Sequence, residues 1–152
     1  MATLKEQLQS DLTAAIKSRD ELRSATLRMA LAAVTTEEVA GKAARELSDQ
    51  DVQAVLAKEA KKRREAATAY DDAGRAELAD RERAELGVLE GYLPAQLGDD
   101  ELAALVAAAV AETGAAGPSA MGQVMKAVTP KVAGRAEGGR VAAEVRRQLA
   151  AS

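Results

Sequence analysis

Thirty-seven of the 152 residues are alanine, while only two are aromatic, Tyr70 and Tyr92. Alanine loses no side-chain entropy in a helix, and it gives a pleated sheet almost nothing to pack with. A chain of this make-up folds as helices, so the predicted class is all-α. Hydrophobic residues at 47% and charged residues at 30% place it among globular rather than disordered chains. No apolar run approaches the ~18 residues that a membrane span requires. Residues 1–5 lack the apolar core of a secretory signal, so a cytoplasmic protein is expected. Cysteine and histidine are both absent. Disulfides, thiolate nucleophiles, Cys/His zinc sites and Ser–His–Asp triads are therefore excluded.

Charge is unevenly spread. Twenty-one basic residues against 24 acidic ones leave a net charge of −3, unlike a strongly basic nucleic-acid binder. Residues 1–94 carry 15 basic and 18 acidic groups. Residues 121–152 carry six basic groups (Lys126, Lys131, Arg135, Arg140, Arg146, Arg147) and two acidic ones (Glu137, Glu144), a local charge of +4. Such a patch either meets a polyanion or is an incidental imbalance of a small domain.

Helix punctuation is legible along the chain. Thr3 and Glu6 have capping-box spacing, and Leu4, Leu8, Leu12 and Ile16 follow on one face of a helix to about Lys17. Ser18 and Glu21 repeat that spacing ahead of a second helix, whose inner stripe is predicted as Leu22, Ala25, Met29, Ala32 and Ala33. Ser48 caps a long third helix that closes at Gly74. A fourth runs from Arg75 to Tyr92 and is halted by Pro94. The next three are shorter: one opens on Asp99-Asp100-Glu101 and ends at Gly114, one starts at Gly117-Pro118-Ser119 and bends or ends at Pro130, and the last follows a loop over 133–139. The predicted organisation is an N-terminal bundle of about four long helices (1–94), a hinge (95–98), and a small three-helix domain (99–152).

Chemistry-bearing residues are few. Lys61-Lys62-Arg63-Arg64 lies mid-helix with Glu59 and Glu65 at pairing distance, the pattern of a solvated, salt-bridged face, with a polyanion contact as the alternative. The seven carboxylates from Asp71 to Glu90, Glu85 among them, alternate with arginines and read as surface; no metal or cofactor site is predicted. The segment Lys131 to Arg140 contains Gly134, Gly138 and Gly139 ahead of a helix start, with Arg135 and Arg140 alongside. This is either a phosphate cradle at a helix N-terminus or a tight turn needing positive φ at Gly134 or Gly138. It lacks the GxxxxGK[ST] pattern and follows a helix, which excludes a nucleotide P-loop. With two tyrosines as the only aromatics, any RNA contact is to backbone and shape, not to stacked bases.

Four stretches in order carry a family resemblance: Leu27-Arg28-Met29-Ala30-Leu31-Ala32-Ala33-Val34; Lys62-Arg63-Arg64-Glu65 continuing through Tyr70, Gly74-Arg75, Glu85 and Leu89 to Tyr92-Leu93-Pro94; Met121-Gly122-Gln123-Val124-Met125-Lys126; and Gly134-Arg135-Ala136 with Gly138 and Val141. Together they resemble the stand-alone YqeY-like proteins of the GatB/YqeY family over essentially all of 1–150. The resemblance implies an N-terminal helical bundle and a small C-terminal helical domain. In larger relatives the module is the tail of the B subunit of the tRNA-dependent amidotransferase, a tRNA-recognition appendage; it is also fused to some glutaminyl-tRNA synthetases. The carbon–nitrogen ligase chemistry of those relatives lies in other domains. Transferred to this sequence, the tail's role implies Met121, Gly122, Lys126, Lys131, Gly134, Arg135, Gly138 and Arg140 as tRNA-facing candidates. Ala133 and Ala142 depart from the pattern, standing where relatives often have a basic and a polar residue.

Two functional readings follow. One is a non-catalytic tRNA-binding or tRNA-metabolism accessory, whose expected partners are tRNA and an aminoacyl-tRNA synthetase or amidotransferase. The other is a protein-interaction adaptor that docks through apolar helix faces. A stand-alone enzyme is disfavoured, because no nucleophile, base or metal set presents itself.

Overall fold

The computed structural model describes residues 2–151, and among these it holds seven α-helices and no strand. The all-α class is thus observed. No single helix is long and apolar enough to cross a membrane. The chain divides into two compact units, Met1–Leu93 and Pro94–Ser152, each with its own apolar core.

The first unit contains α1 (Leu4–Lys17), α2 (Glu21–Glu38), α3 (Asp49–Asp72) and α4 (Ala76–Glu90). Its core is built from Leu8, Leu27, Ala30, Val34, Val52, Leu56, Ala60 and Leu89. Polar side chains fix the helix ends. The Thr3 hydroxyl accepts the Glu6 amide, and Asp49 at the start of α3 accepts the Leu4 amide at 2.9 Å. Ser48 and Asp51 form a reciprocal capping box at α3. Tyr92, just past α4, donates its hydroxyl to Asp11 of α1 at 2.5 Å and accepts from Arg23 of α2 at 3.1 Å.

Two expectations need correcting here. Ser18 does not cap the second helix: it ends α1 with its hydroxyl on the Ala15 carbonyl, and Asp20 caps α2 by accepting the Arg23 amide. The buried residues of α2 are Ser24, Thr26, Leu27, Ala30 and Val34, while Met29 is half-exposed and Ala32 lies on the surface. Alanines and other small residues occur all round this helix, so apolar spacing leaves its rotation undetermined.

The second unit contains α5 (Asp99–Thr113), a single 3₁₀ turn (Pro118–Ala120), α6 (Met121–Val132) and α7 (Gly138–Ala151). Leu102, Val106 and Ala109 of α5 meet Val124, Val128 and Val132 of α6 and Val141, Val145 and Leu149 of α7. All three helices show the 3–4 spacing of a buried stripe. Pro130 neither ends nor halts α6, which continues to Val132. Residues 95–98 are bonded into this unit: Leu97 is buried in its core, and the Leu97 amide donates to the Arg135 carbonyl at 2.7 Å.

Candidate functional site

The α6–α7 connection collects most of the predicted residues. Ala133 (φ 50°) and Gly134 (φ 78°) are both left-handed, and the Arg135 amide returns to the Val132 carbonyl at 3.0 Å. This is a type I′ turn, which requires positive φ at both central positions. Gly134 therefore fulfils the turn expectation, whereas Gly138 does not: it is already the first residue of α7. The loop is five residues long, 133–137, not seven. The turn delivers Lys131, Gly134, Arg135, Gly138 and Arg140 to one end of the second unit. Met121 and Gly122 open α6, about 15 Å along the helix from Lys131 at 1.5 Å rise per residue, so the candidates do not form one cluster. Met121 packs partly against the core; Gly122 and Lys126 are exposed.

The cations of this unit are mostly spoken for. Lys131 pairs with Glu112 at 3.1 Å. Arg135 donates from Nε to the Ala95 carbonyl at 3.1 Å and faces Glu101 at 3.9 Å. Arg140 donates to the Leu97 carbonyl at 3.0 Å and to Asp99 at 2.9 Å. Arg147 forks onto Glu144 at 2.5 and 3.0 Å, and that guanidinium, with Gln148, holds the Glu144 carboxyl down at about 2. Lys126 and Arg146 have no side-chain partner among the described residues. Over Pro94–Ser152 the six cations are matched by six acids, because Asp99, Asp100, Glu101 and Glu112 join Glu137 and Glu144. The +4 patch of the sequence is thus part of a neutral unit in three dimensions, with α5 supplying four of the six acids.

Residues 5–149 match the model of the Yqey-like protein family. The chain belongs to the YqeY-like family. No curated protein matches it. The match runs through both units of the YqeY-like chain and so includes the sequence stretches quoted above.

The first unit corrects a further expectation. Arg63 is not on a solvated face. Its side chain is buried at 6% exposure and donates from Nε to Glu85 at 3.3 Å and from a terminal nitrogen to the Glu59 carbonyl at 3.1 Å, while the Glu59 carboxylate lies 3.6 Å away. Its other nitrogen meets the Met29 sulfur at 3.7 Å. Glu85 is correspondingly buried, with Arg81 at 3.4 Å as a second partner. Lys61 does form the exposed pair expected with Glu65, whereas Lys62 reaches the mostly buried Glu59. A charge run looks uniform in one dimension, yet successive helical residues point about 100° apart. Arg63 falls on the Val52–Leu56–Ala60–Ala67 stripe of α3, and that register is the signal that marks it as internal. Among the described residues no three acidic side chains stand close enough to hold a metal ion.

Proposed function

We propose that this YqeY-like protein is a non-catalytic accessory of tRNA metabolism whose C-terminal unit touches tRNA through backbone phosphates. The observation that carries the reading is the pair of exposed, unpartnered cations, Lys126 on α6 and Arg146 on α7. Lys131, Arg135 and Arg140 supplement them: each is about one-third exposed and held by carboxylates that are themselves exposed. Exposed pairs of this kind contribute only ~0–1 kcal/mol, so a phosphate can replace the carboxylate at little cost. Arg135 and Arg140 have a second task, binding residues 95–99, and their substitution mixes recognition with stability. The clean test is Lys126→Ala with Arg146→Ala, measured by tRNA binding across a salt series. Losing two phosphate contacts lowers the salt slope by about 1.5. An unchanged slope removes these residues from the interface. The adaptor reading draws on a different feature, the exposed apolar residues Ile16 and Met29 of the first unit.

A further inference from the structure

An open groove of about 530 Å³ lies in the first unit between the end of α1, the start of α2 and α4. Three arginines line it, Arg19, Arg28 and Arg81, against one carboxylate, Glu21. On a chain of net charge −3 that is a concentrated cationic site. The side chains of Arg19 and Arg28 have no partner among the described residues, and Arg81 reaches only Glu85. Ile16, on the same wall, is 49% exposed.

Arg19 also sits where a glycine would be easier. The α1 end is a Schellman turn: the Arg19 amide donates to Ile16 and the Asp20 amide to Ala15, with Arg19 left-handed at φ 60°. The end of α3 has the same pattern, Gly74 to Asp71 and Arg75 to Tyr70, and there the left-handed residue is Gly74 at φ 72°. The chain therefore uses glycine for this turn once and a strained, unpaired arginine once. Backbone strain without a structural return points to a role for the side chain.

We infer that this groove docks an acidic segment of a partner protein, one whose carboxylates are interspersed with apolar residues. Carboxylates take up the guanidinium forks of Arg19 and Arg28. An apolar side chain of the segment covers Ile16, which a phosphodiester backbone has no means to do; that difference favours a protein over a nucleic acid. The inference stands independently of the tRNA reading, which concerns the other unit.

The test uses the full chain and a fluorescein-labelled synthetic helical peptide with Glu and Leu on one face, followed by anisotropy. The expected result is saturable binding that weakens at least tenfold in Arg19→Gly/Arg28→Ala. It also weakens for the wild-type protein when the peptide's Glu residues become Gln or its Leu residues Ala. Arg19→Gly alone melts a few degrees higher than wild type while binding the peptide less well, which separates lost recognition from lost folding. The inference is overturned if the peptide fails to bind, if the double variant binds it as wild type does, or if the Gln peptide binds equally. It is likewise overturned if a single-stranded RNA competes at the groove and loses affinity in the same double variant.

Discussion

Removing the buried cation of the first unit should cost more than any surface change, and the loss can be worked from its contacts. Arg63→Ala deletes a side chain that is 6% exposed and leaves two carboxylates, Glu59 and Glu85, at 13% and 12% exposure, without the charge they share. Breaking a buried pair costs about 3–5 kcal/mol when nothing else neutralises the charge left behind; Lys62 and Arg81 still reach these carboxylates, which puts the loss at the lower end of that range. Glu85→Ala leaves Arg63 with the Glu59 carbonyl and carboxylate, so its cost is smaller, about 2–3 kcal/mol. Replacing both ends with apolar residues of similar size, Arg63→Met with Glu85→Leu, should restore most of the stability. The assay is selective by composition: the only aromatic residues, Tyr70 and Tyr92, are both in Met1–Leu93. Tyrosine fluorescence in a urea titration therefore reports that unit alone, whatever the second unit does. Raising salt to about 1 M should leave the cost of Arg63→Ala nearly unchanged, since screening acts on exposed pairs. If both single variants lie within about 1 kcal/mol of wild type, or if the apolar double variant is no better than Arg63→Ala, the reasoning fails.

Other outcomes are equally specific. Burial, followed by the hydrogen bond to Asp11, pushes the Tyr92 hydroxyl up to about 12 from its ordinary 10. The folded state then holds the proton more tightly than the unfolded one. The Tyr92 contribution is complete below pH 10 and is lost as pH rises towards 12. Absorbance at about 295 nm in a Tyr70→Phe background follows that ionisation; Asp11→Asn should lower the midpoint, and an unmoved midpoint would remove Asp11 as a cause. In the second unit, Arg140→Ala frees the Leu97 carbonyl and should cost about 1 kcal/mol, read as faster hydrogen exchange at the Leu97 amide. Exchange at wild-type rate would show that Arg140 does not hold this segment.

Helix existence and most helix ends were legible in the sequence, because Thr3, Ser48, Gly74 and Gly114 act locally through their own side chains or backbone freedom. What escaped was tertiary. The rotation of α2 could not be read where alanines populate every face, and so Met29 was assigned inward. The burial of Arg63 and Glu85 was hidden because each looks like a surface charge until the α3 register and its packing against α4 are known. The largest difference concerns the cationic tail. Asp99 and Glu101 are legible as the opening of a helix, but they also reach across to Arg140 and Arg135, 41 and 34 positions away in the chain. No local pattern announces such a pairing. Arg19 was hidden for the opposite reason: a left-handed arginine has no sequence signature, since glycine is the residue that advertises that conformation.

The central claim, a tRNA contact by the C-terminal unit, is tested most directly by binding of total tRNA at near-physiological salt, compared with an unrelated duplex RNA of equal length. The account predicts micromolar, salt-dependent binding that prefers tRNA and weakens in Lys126→Ala/Arg146→Ala. No binding, or equal binding of both RNAs, would contradict it.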